Sequence, residues 1–555
     1  MRFCPVQGLL LNIRDHIFFS VVCAYNGSEL IGSLDMRNRR AGPVLCVAAI
    51  MVVILCAVPP VYLLFQLSLS PSRFLEYVTA DSTGPVVWRT LWMVLAVTTT
   101  SLCIAVPMAW LLERSDLPWR NLFGVLAILP LAIPSYIGSF VLLSAFGQRG
   151  LLQQLLEPVG VETMPSISGC SGSVIVLALS TYPYLLIPLR PAIGSIDPRM
   201  SDVSRTFGYG PLRTFYKVTL PFLRPALAAG GLLVGLYALS DFGAVSLLNC
   251  RSLTVSLFSH YESAFDRTGA ASVAILLSIF ALIFVLVDLR TRRNRDYNSA
   301  RPVVQDRRTT LGKWRWPAVT ILSMFLFVAL VVPIGVLVYW FSREVNYLES
   351  LNSILVPAMN SILVSAAAGL ITCLIATPVA ILSVQHGKQW LSRITETVSY
   401  TGYALPGLVI ALSLVFVAKN VTFLYQTFFI LIVGYVLLFL PQAAGSIRVS
   451  IGQLQQNVQG AAKGLGAGNF RVMSTITFPL IRRGAIAGFV LVFITTIKEL
   501  PATLILSPLG YESLSASVWS ASSEAFFARA ALPGLLLVFF SLLPLILLNR
   551  WDRSL

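Results

Sequence analysis

Apolar runs long enough to cross a lipid bilayer recur twelve times along this chain, and that feature leaves few folds open. A membrane-spanning helix needs about 20 apolar residues. The runs cover 43–67, 86–112, 121–145, 172–193, 225–249, 269–288, 316–341, 357–384, 394–417, 424–446, 484–508 and 530–548. Inside hydrocarbon every backbone polar group must be satisfied within the protein, which makes runs of this length helices. The expected fold is all-α, a polytopic membrane protein of about twelve transmembrane helices. Charged residues make up only 12% of the chain, against about 25% in an ordinary soluble domain. That is too little to coat several soluble cores.

Lys and Arg are shared unevenly between alternate loops. Thirty-one fall in the N-terminal segment, 113–120, 190–224, 289–315, 385–393, 447–483 and the C-terminus. The opposite set holds Arg73, Arg89, Arg149, Arg251, Arg267, Arg343, Lys419 and Arg529. The positive-inside rule makes the richer set cytoplasmic, with both termini inside. The net charge of +16 is thus mainly a topology signal. Nucleic-acid binding would need the basic residues grouped on one soluble domain, and none is present in the sequence.

The eight cysteines show no CxxC pair and no grouping with histidine, which argues against a zinc or iron–sulfur site. Most read as small buried hydrophobes. Cys170 and Cys250 fall at the outer ends of spans, where an oxidising compartment would allow a disulfide. His16, His260 and His386 are isolated and read as loop residues. Residues 1–42 lack a signal-peptide pattern and read as a cytoplasmic lead. Met36-Arg37-Asn38-Arg39-Arg40 before the first run resembles a natural start, with translation expected from Met36.

The chain repeats itself, and a repeat governs the whole architecture. Pro107 matches Pro378 at a spacing of 271, and Pro134 matches Pro406 at 272. From Asp202–Pro221 onto Gly460–Pro479 the spacing is a constant 258, which also carries Gly230 onto Gly488 and Asp241 onto Glu499. Each half has six spans, so the halves share one orientation, and their pseudo-two-fold axis runs along the membrane normal. A substrate route is expected between them. The halves are 43–288 and 316–555, joined by 289–315, an Arg-rich cytoplasmic connector containing Pro302.

The longest matched loops precede the fifth and eleventh spans. They read DVSRTFGYGPLRTFYKVTLPFLRPALAAG (202–230) and GAAKGLGAGNFRVMSTITFPLIRRGAIAG (460–488). Each opens with a short helix-compatible stretch, turns at a glycine (Gly208, Gly466), continues as an amphipathic stretch, and meets a proline (Pro221, Pro479) before the next span. Glycine permits the positive φ of a sharp turn, and proline suits a helix boundary. The pattern describes a helix–turn–helix along the cytoplasmic face. Phe215, Val218, Leu220, Met473, Ile476 and Phe478 are expected to pack on the bundle.

These loops resemble the EAA loops of ABC importer permeases, whose pattern is E-A-A-x-x-x-G followed by about a dozen residues and L-P. The resemblance implies that they form coupling helices docking on a separate ATPase. It assigns that role to Asp202, Arg205, Gly208, Tyr209, Gly210 and Pro221 in the first half. In the second half it assigns Gly460, Ala461, Lys463, Gly466, Ala467, Gly468 and Pro479. The chain departs from the pattern: Asp202-Val203-Ser204 and Gly460-Ala461-Ala462 stand for E-A-A, so only Asp202 can supply an ion pair there. No GxxxxGK[ST] motif occurs, so hydrolysis belongs to another subunit. The run Gly464-x-Gly466-x-Gly468 has no βαβ surroundings. The implied partners are two copies of an ABC ATPase, which uses ATP-Mg, and a periplasmic or extracellular solute-binding protein. This chain binds no cofactor or metal of its own and performs no catalysis. Its implied place is the bacterial inner membrane.

Asp241 lies in the fifth span, and Lys498 and Glu499 in the eleventh. A charge at membrane depth is costly and usually meets a partner or a wet cavity. The carboxylates stand about 16 residues along their spans, roughly 24 Å at helical rise, towards the outer leaflet. Two readings follow. They line the translocation pathway or its outer gate, suited to a cation; or they form a helix-to-helix ion pair or reach the headgroups. Gly243 and Pro501 nearby can break the helices. The strings LSDFGAVSLL (239–248), HYESAFDRTGAASVA (260–274) and KELPATLILSPLGYESLSASVW (498–519) resemble the ferric-iron branch of the fused, two-half permeases. Thiamine and phosphonate permeases share that architecture. An ion-driven secondary transporter would also show repeats but would not need twin docking loops. A membrane-embedded enzyme would need a catalytic constellation that the motifs do not supply.

Overall fold

In a computed structural model, the described residues are 42–551 apart from 148–149, 152, 154–156, 158–166, 263–265, 293–307, 345–346, 388, 422, 453–465, 467, 469–470, 472–474 and 476–477. The expected N-terminal lead, the start at Met36 and most of the connector lie outside them. Among the described residues the secondary structure is helical, apart from one isolated bridge between Ser115 and Thr309.

The first half contains α1 (Pro43–Leu69), α2 (Thr83–Arg114), α3 (Arg120–Leu126), α4 (Ser135–Phe146), α5 (Gly169–Ser195), α6 (Pro198–Thr206), α7 (Leu220–Ser240), α8 (Gly243–Leu247), α9 (Leu253–Glu262) and α10 (Arg267–Arg292). The second contains α11 (Arg315–Leu326), α12 (Val332–Ser342), α13 (Tyr347–Gln385), α14 (Trp390–Ser399), α15 (Gly407–Lys419), α16 (Phe428–Gly452), α17 (Phe478–Ile497), α18 (Pro501–Leu506), α19 (Leu514–Ser523) and α20 (Phe527–Trp551). All twelve apolar runs are helical, and among the described residues nine helices are long and apolar enough to cross a bilayer unbroken.

The third, ninth and eleventh runs are not among these nine, and the fifth passes as Phe215–Ser240 but breaks before the outer end of its run. The third bends by 90° between Arg120–Ala132 and Ser135–Phe146. The ninth breaks between α14 and α15. The matched prolines explain both breaks: Pro134 and Pro406 sit immediately before α4 and α15 in near-identical extended backbone, with φ −57° at each. Proline donates no hydrogen bond and pushes its predecessor out of helical geometry. The fifth and eleventh runs break after Ser240 and after Ile497, beside Gly243 and Pro501.

The repeat is visible in packing. A side chain on Gly230 would meet the Leu185 backbone at 2.8 Å, and one on Gly488 would meet Ala443 Cα at 3.2 Å. These are the same helix crossing, 258 residues apart. The opening helix of each half also reaches across to the other. α1 packs on α13, α14 and α15, with Tyr62 stacked on Phe416 at 5.5 Å. Phe325 of α11 sits edge-on to Tyr182 of α5 at 5.3 Å. The end of the connector is pinned to the first half, where Leu311 N donates to Asp116 Oδ1 at 2.8 Å.

Around the loops, one pairing left open is made and two expectations change. Cys170 and Cys250 are joined by a disulfide, tying the start of α5 to the turn after α8. Their separation of 80 residues hid a proximity that the α5–α8 packing creates. Pro221 marks no boundary: a π-helical turn, Phe215–Thr219, runs straight into α7. The wider turn accommodates the missing proline N–H without ending the helix. Phe215, Val218 and Leu220 are half-buried. His260 lies on α9, with Nδ1 3.6 Å from Asp266 Oδ2. Asp266 accepts from Gly269 N–H at 3.1 Å, and this bond holds its carboxyl below the usual range.

An ion pair braces the end of each half that carries the matched loop, largely buried in the first half and with Glu396 31% exposed in the second. Arg190 Nε donates to Glu113 Oε1 at 2.8 Å, and its Nη1 donates to Gly124 O at 3.1 Å. Arg448, 258 residues on, pairs with Glu396. Breaking such a pair by removing one partner costs about 3–5 kcal/mol, whereas replacing both with apolar residues is often neutral. Glu113→Leu is expected to lower the denaturation midpoint of the detergent-purified protein sharply, and Glu113→Leu with Arg190→Met to recover most of the loss. A double variant no more stable than the single one would remove the pair from the stability account.

Candidate functional site

The first elbow is built as α6, a turn, and a short helix Pro211–Thr214 leading into the π turn. Gly208 turns the chain with φ +74°, and Gly466, its match in the second elbow, with φ +84°. An L-residue with a side chain disfavours that left-handed backbone, so the glycines are required by conformation and not by crowding: a Cβ on either would meet nothing within 4 Å. Ser204 and Thr214 hydroxyls bond at 2.8 Å across the elbow. The Tyr209 ring lies under Arg213 at 4.7 Å and Lys217 at 5.1 Å. Asp202 and Arg205 both lie on α6, Gly210 is exposed beyond the turn, and Pro221 stands in the first turn of α7. Val203, Phe207 and Tyr216 present apolar surface outward, Phe207 being 74% exposed. In the second elbow Gly468 is exposed and Pro479 half-buried at the start of α17. Gly460, Ala461, Lys463 and Ala467 lie outside the described residues.

At the other end of α7 and α17, the three intramembrane charges meet the paired helix breaks. Asp241 is the residue after α7 and is buried. Its Oδ1 accepts from Ala244 N–H at 2.9 Å, capping α8, and its Oδ2 accepts from Ser135 Oγ at the break of the third span. Glu499 Oε1 accepts from Ala502 N–H at 3.4 Å, capping α18. Each carboxylate thus answers orphan N–H groups exposed by the break. The main-chain carbonyls match too: Thr254 Oγ1 donates to Asp241 O at 2.8 Å, and Ser515 Oγ donates to Glu499 O at 3.1 Å.

Lys498 points away from the carboxylate beside it and crosses between the halves. Its ammonium donates to Leu131 O at 3.0 Å, and Tyr136 OH donates to Lys498 O at 3.3 Å. The hydrogen bonds of the three charges go to hydroxyl, N–H and carbonyl groups. What the geometry shows is a polar girdle at the helix breaks: two carboxylates, one ammonium and main-chain carbonyls that accept from side chains. Ser135, Tyr136 and Leu131 were not singled out from the sequence. The repeated Pro134 next to them was the signal that could have found them.

The chain matches the family described as binding-protein-dependent transport system inner membrane component over residues 101–296 and again over 376–555. It is 30% identical over 487 residues to a protein of Haemophilus influenzae named Fe(3+)-transport system permease protein FbpB 2, covering 86% of this chain and 92% of that one. It is 23% identical to the ferric transport system permease protein FbpB of Actinobacillus pleuropneumoniae, covering 72% of this chain and 61% of the relative. The molybdenum transport system permease protein ModB of Escherichia coli is 26% identical over 36% of this chain and 91% of its own length.

Proposed function

The chain belongs to the binding-protein-dependent transport system inner membrane components, and we propose that it is the fused, two-half permease of an ATP-driven importer that carries ferric iron. The observation that carries the transport mechanism is the pair of inner elbows, each turning on a glycine with positive φ at a matched position. Two like docking elements suit two copies of one ATPase, which hydrolyses ATP-Mg on behalf of a chain that holds no nucleotide motif. Asp202, Arg205, Tyr209 and the exposed Phe207 form the first contact surface. Gly460, Ala461, Lys463 and Gly468 supply the second.

ATP-driven closure of the ATPase pair draws the elbows together. Since α7 is continuous with its elbow through the π turn, that motion reaches the break at Asp241 as movement of a rigid helix. The two halves then rock about the pseudo-two-fold, and the route between them opens alternately to each side. The excess of basic residues on the elbow side supports cytoplasmic elbows and cytoplasmic termini. An external solute-binding protein delivers the cargo to the opposite face.

Ferric cargo is supported by the likeness to a ferric permease along most of both chains. The girdle adds a physical argument, since two carboxylates against one ammonium leave a net negative site that favours a cation. Thiamine and phosphonate are the competing cargoes. In vesicles reconstituted with the chain, its ATPase and its binding protein, ATP-dependent uptake of radioactive ferric iron is expected, with none of thiamine. Thiamine uptake without iron uptake would overturn the assignment.

A further inference from the structure

We infer that Phe242, Phe258 and Trp519 form an aromatic plug on the pseudo-two-fold axis, that this plug is the outer gate of the route, and that Trp519 is the residue that closes it. The inference rests on the permease reading above. Phe258 and Trp519 occupy matched positions, each five residues beyond the start of its helix, at Leu253 and Leu514. Those starts are fastened alike: Leu253 N–H donates to Thr90 Oγ1 at 2.9 Å, and Leu514 N–H donates to Ser361 Oγ at 2.8 Å. Equivalent residues of two related halves can touch only where the axis relating them passes. These two do touch, with ring centroids 5.9 Å apart in an edge-on arrangement.

Phe242 completes the triangle, 4.5 Å from Phe258 and 5.8 Å from Trp519. The two helix breaks also meet beneath it. Phe242 follows Asp241 as Leu500 follows Glu499, and a side chain on Gly243 would come within 3.0 Å of Leu500 Cδ2. The plug therefore stands immediately beyond the charged girdle, at the end of the bundle opposite the elbows. A hydrated ion on the axis would have to shed water against these rings, which closes an apolar constriction to it. The halves are unequal here. The second half has an indole where the first has a phenyl, and its Nε1–H donates across the interface to Ser246 Oγ at 3.1 Å. That bond latches the gate, and rocking of the halves would separate its two ends.

The test uses the full chain with its ATPase, reconstituted in calcein-loaded vesicles, with Co2+ entry read as quenching in the absence of nucleotide and binding protein. Trp519→Ala is expected to raise Co2+ entry about tenfold, as loss of a dry constriction should, and Trp519→Phe, which keeps a ring on the axis but loses the bond to Ser246, to fall between it and the native chain. If Trp519→Ala fails to assemble, a second measurement decides. With the free cysteines replaced by serine and the Cys170–Cys250 disulfide kept, Phe258→Cys with Trp519→Cys is expected to be joined by a short bifunctional thiol reagent in the resting complex and not in the nucleotide-trapped one. A tight Trp519→Ala complex, or cross-linking equal in both states, would overturn the gate. If the native complex performs ATP-driven uptake and the gate tests fail, only the plug is wrong. If the native complex transports nothing, the permease reading fails first.

Discussion

Replacing Asp241 with Asn and Glu499 with Gln will stop ATP-driven uptake while leaving the complex assembled. The two carboxylates cap α8 and α18 at equivalent breaks, and Asp241 also holds Ser135 on the third span. A charge-assisted hydrogen bond contributes about 1.5–3 kcal/mol. The amide side chains keep an acceptor for the helix N–H groups, so the breaks persist and the fold survives. What disappears is the negative charge beside the route. Uptake in vesicles and co-purification of the ATPase separate the two effects. Normal uptake by the double variant would remove both residues from the mechanism, and loss of assembly would reduce them to structural caps. Asp241→Ala should behave differently from Asp241→Asn, because it also leaves the α8 N-terminus uncapped, at a cost of about 1 kcal/mol.

The second large effect concerns the elbows. Proline fixes φ near −65°, and Gly208 and Gly466 hold φ at +74° and +84°. Gly208→Pro or Gly466→Pro cannot form the native turn. Each is expected to cut uptake at least about tenfold, as 1–3 kcal/mol of backbone strain at the docking element implies, while the ATPase continues to hydrolyse ATP. Gly208→Ala gives a graded control. Its methyl group has open space, so only the left-handed backbone penalty of about 1–2 kcal/mol applies. Its uptake should fall between the native and proline values. Proline variants that transport at the native rate would refute docking through these loops, whatever cargo is carried.

Much of this protein is a sum of local signals. The apolar runs at 43–67 or 530–548 are long enough to span a bilayer whatever surrounds them, and each became helix. Gly208 and Gly466 announce a turn because only glycine tolerates that backbone cheaply. Pro134 and Pro406 marked the repeat in the sequence, and the structure shows that they also break the runs they sit in, because proline lacks the donor that a helix needs. Asp241 and Glu499 stand out because charge in an apolar run is expensive. The constant spacing of 258 made the two halves and their common orientation legible before any coordinate.

Partnership across long separations was decided by the tertiary structure alone. Nothing local to Lys498 points to the Leu131 carbonyl in the other half. The sequence left Cys170 and Cys250 as a pair that could form and the packing formed it, while Phe258 and Trp519 look like any aromatic residues on apolar helices. Pro221 showed the converse: its local signal for a boundary was overruled by a π turn that kept the helix continuous. Spans, breaks and turns follow from each residue's own backbone and transfer free energies, which the sequence states directly. Contacts on the axis between the halves depend on how twelve helical segments pack together, a collective outcome to which each residue contributes only a small share.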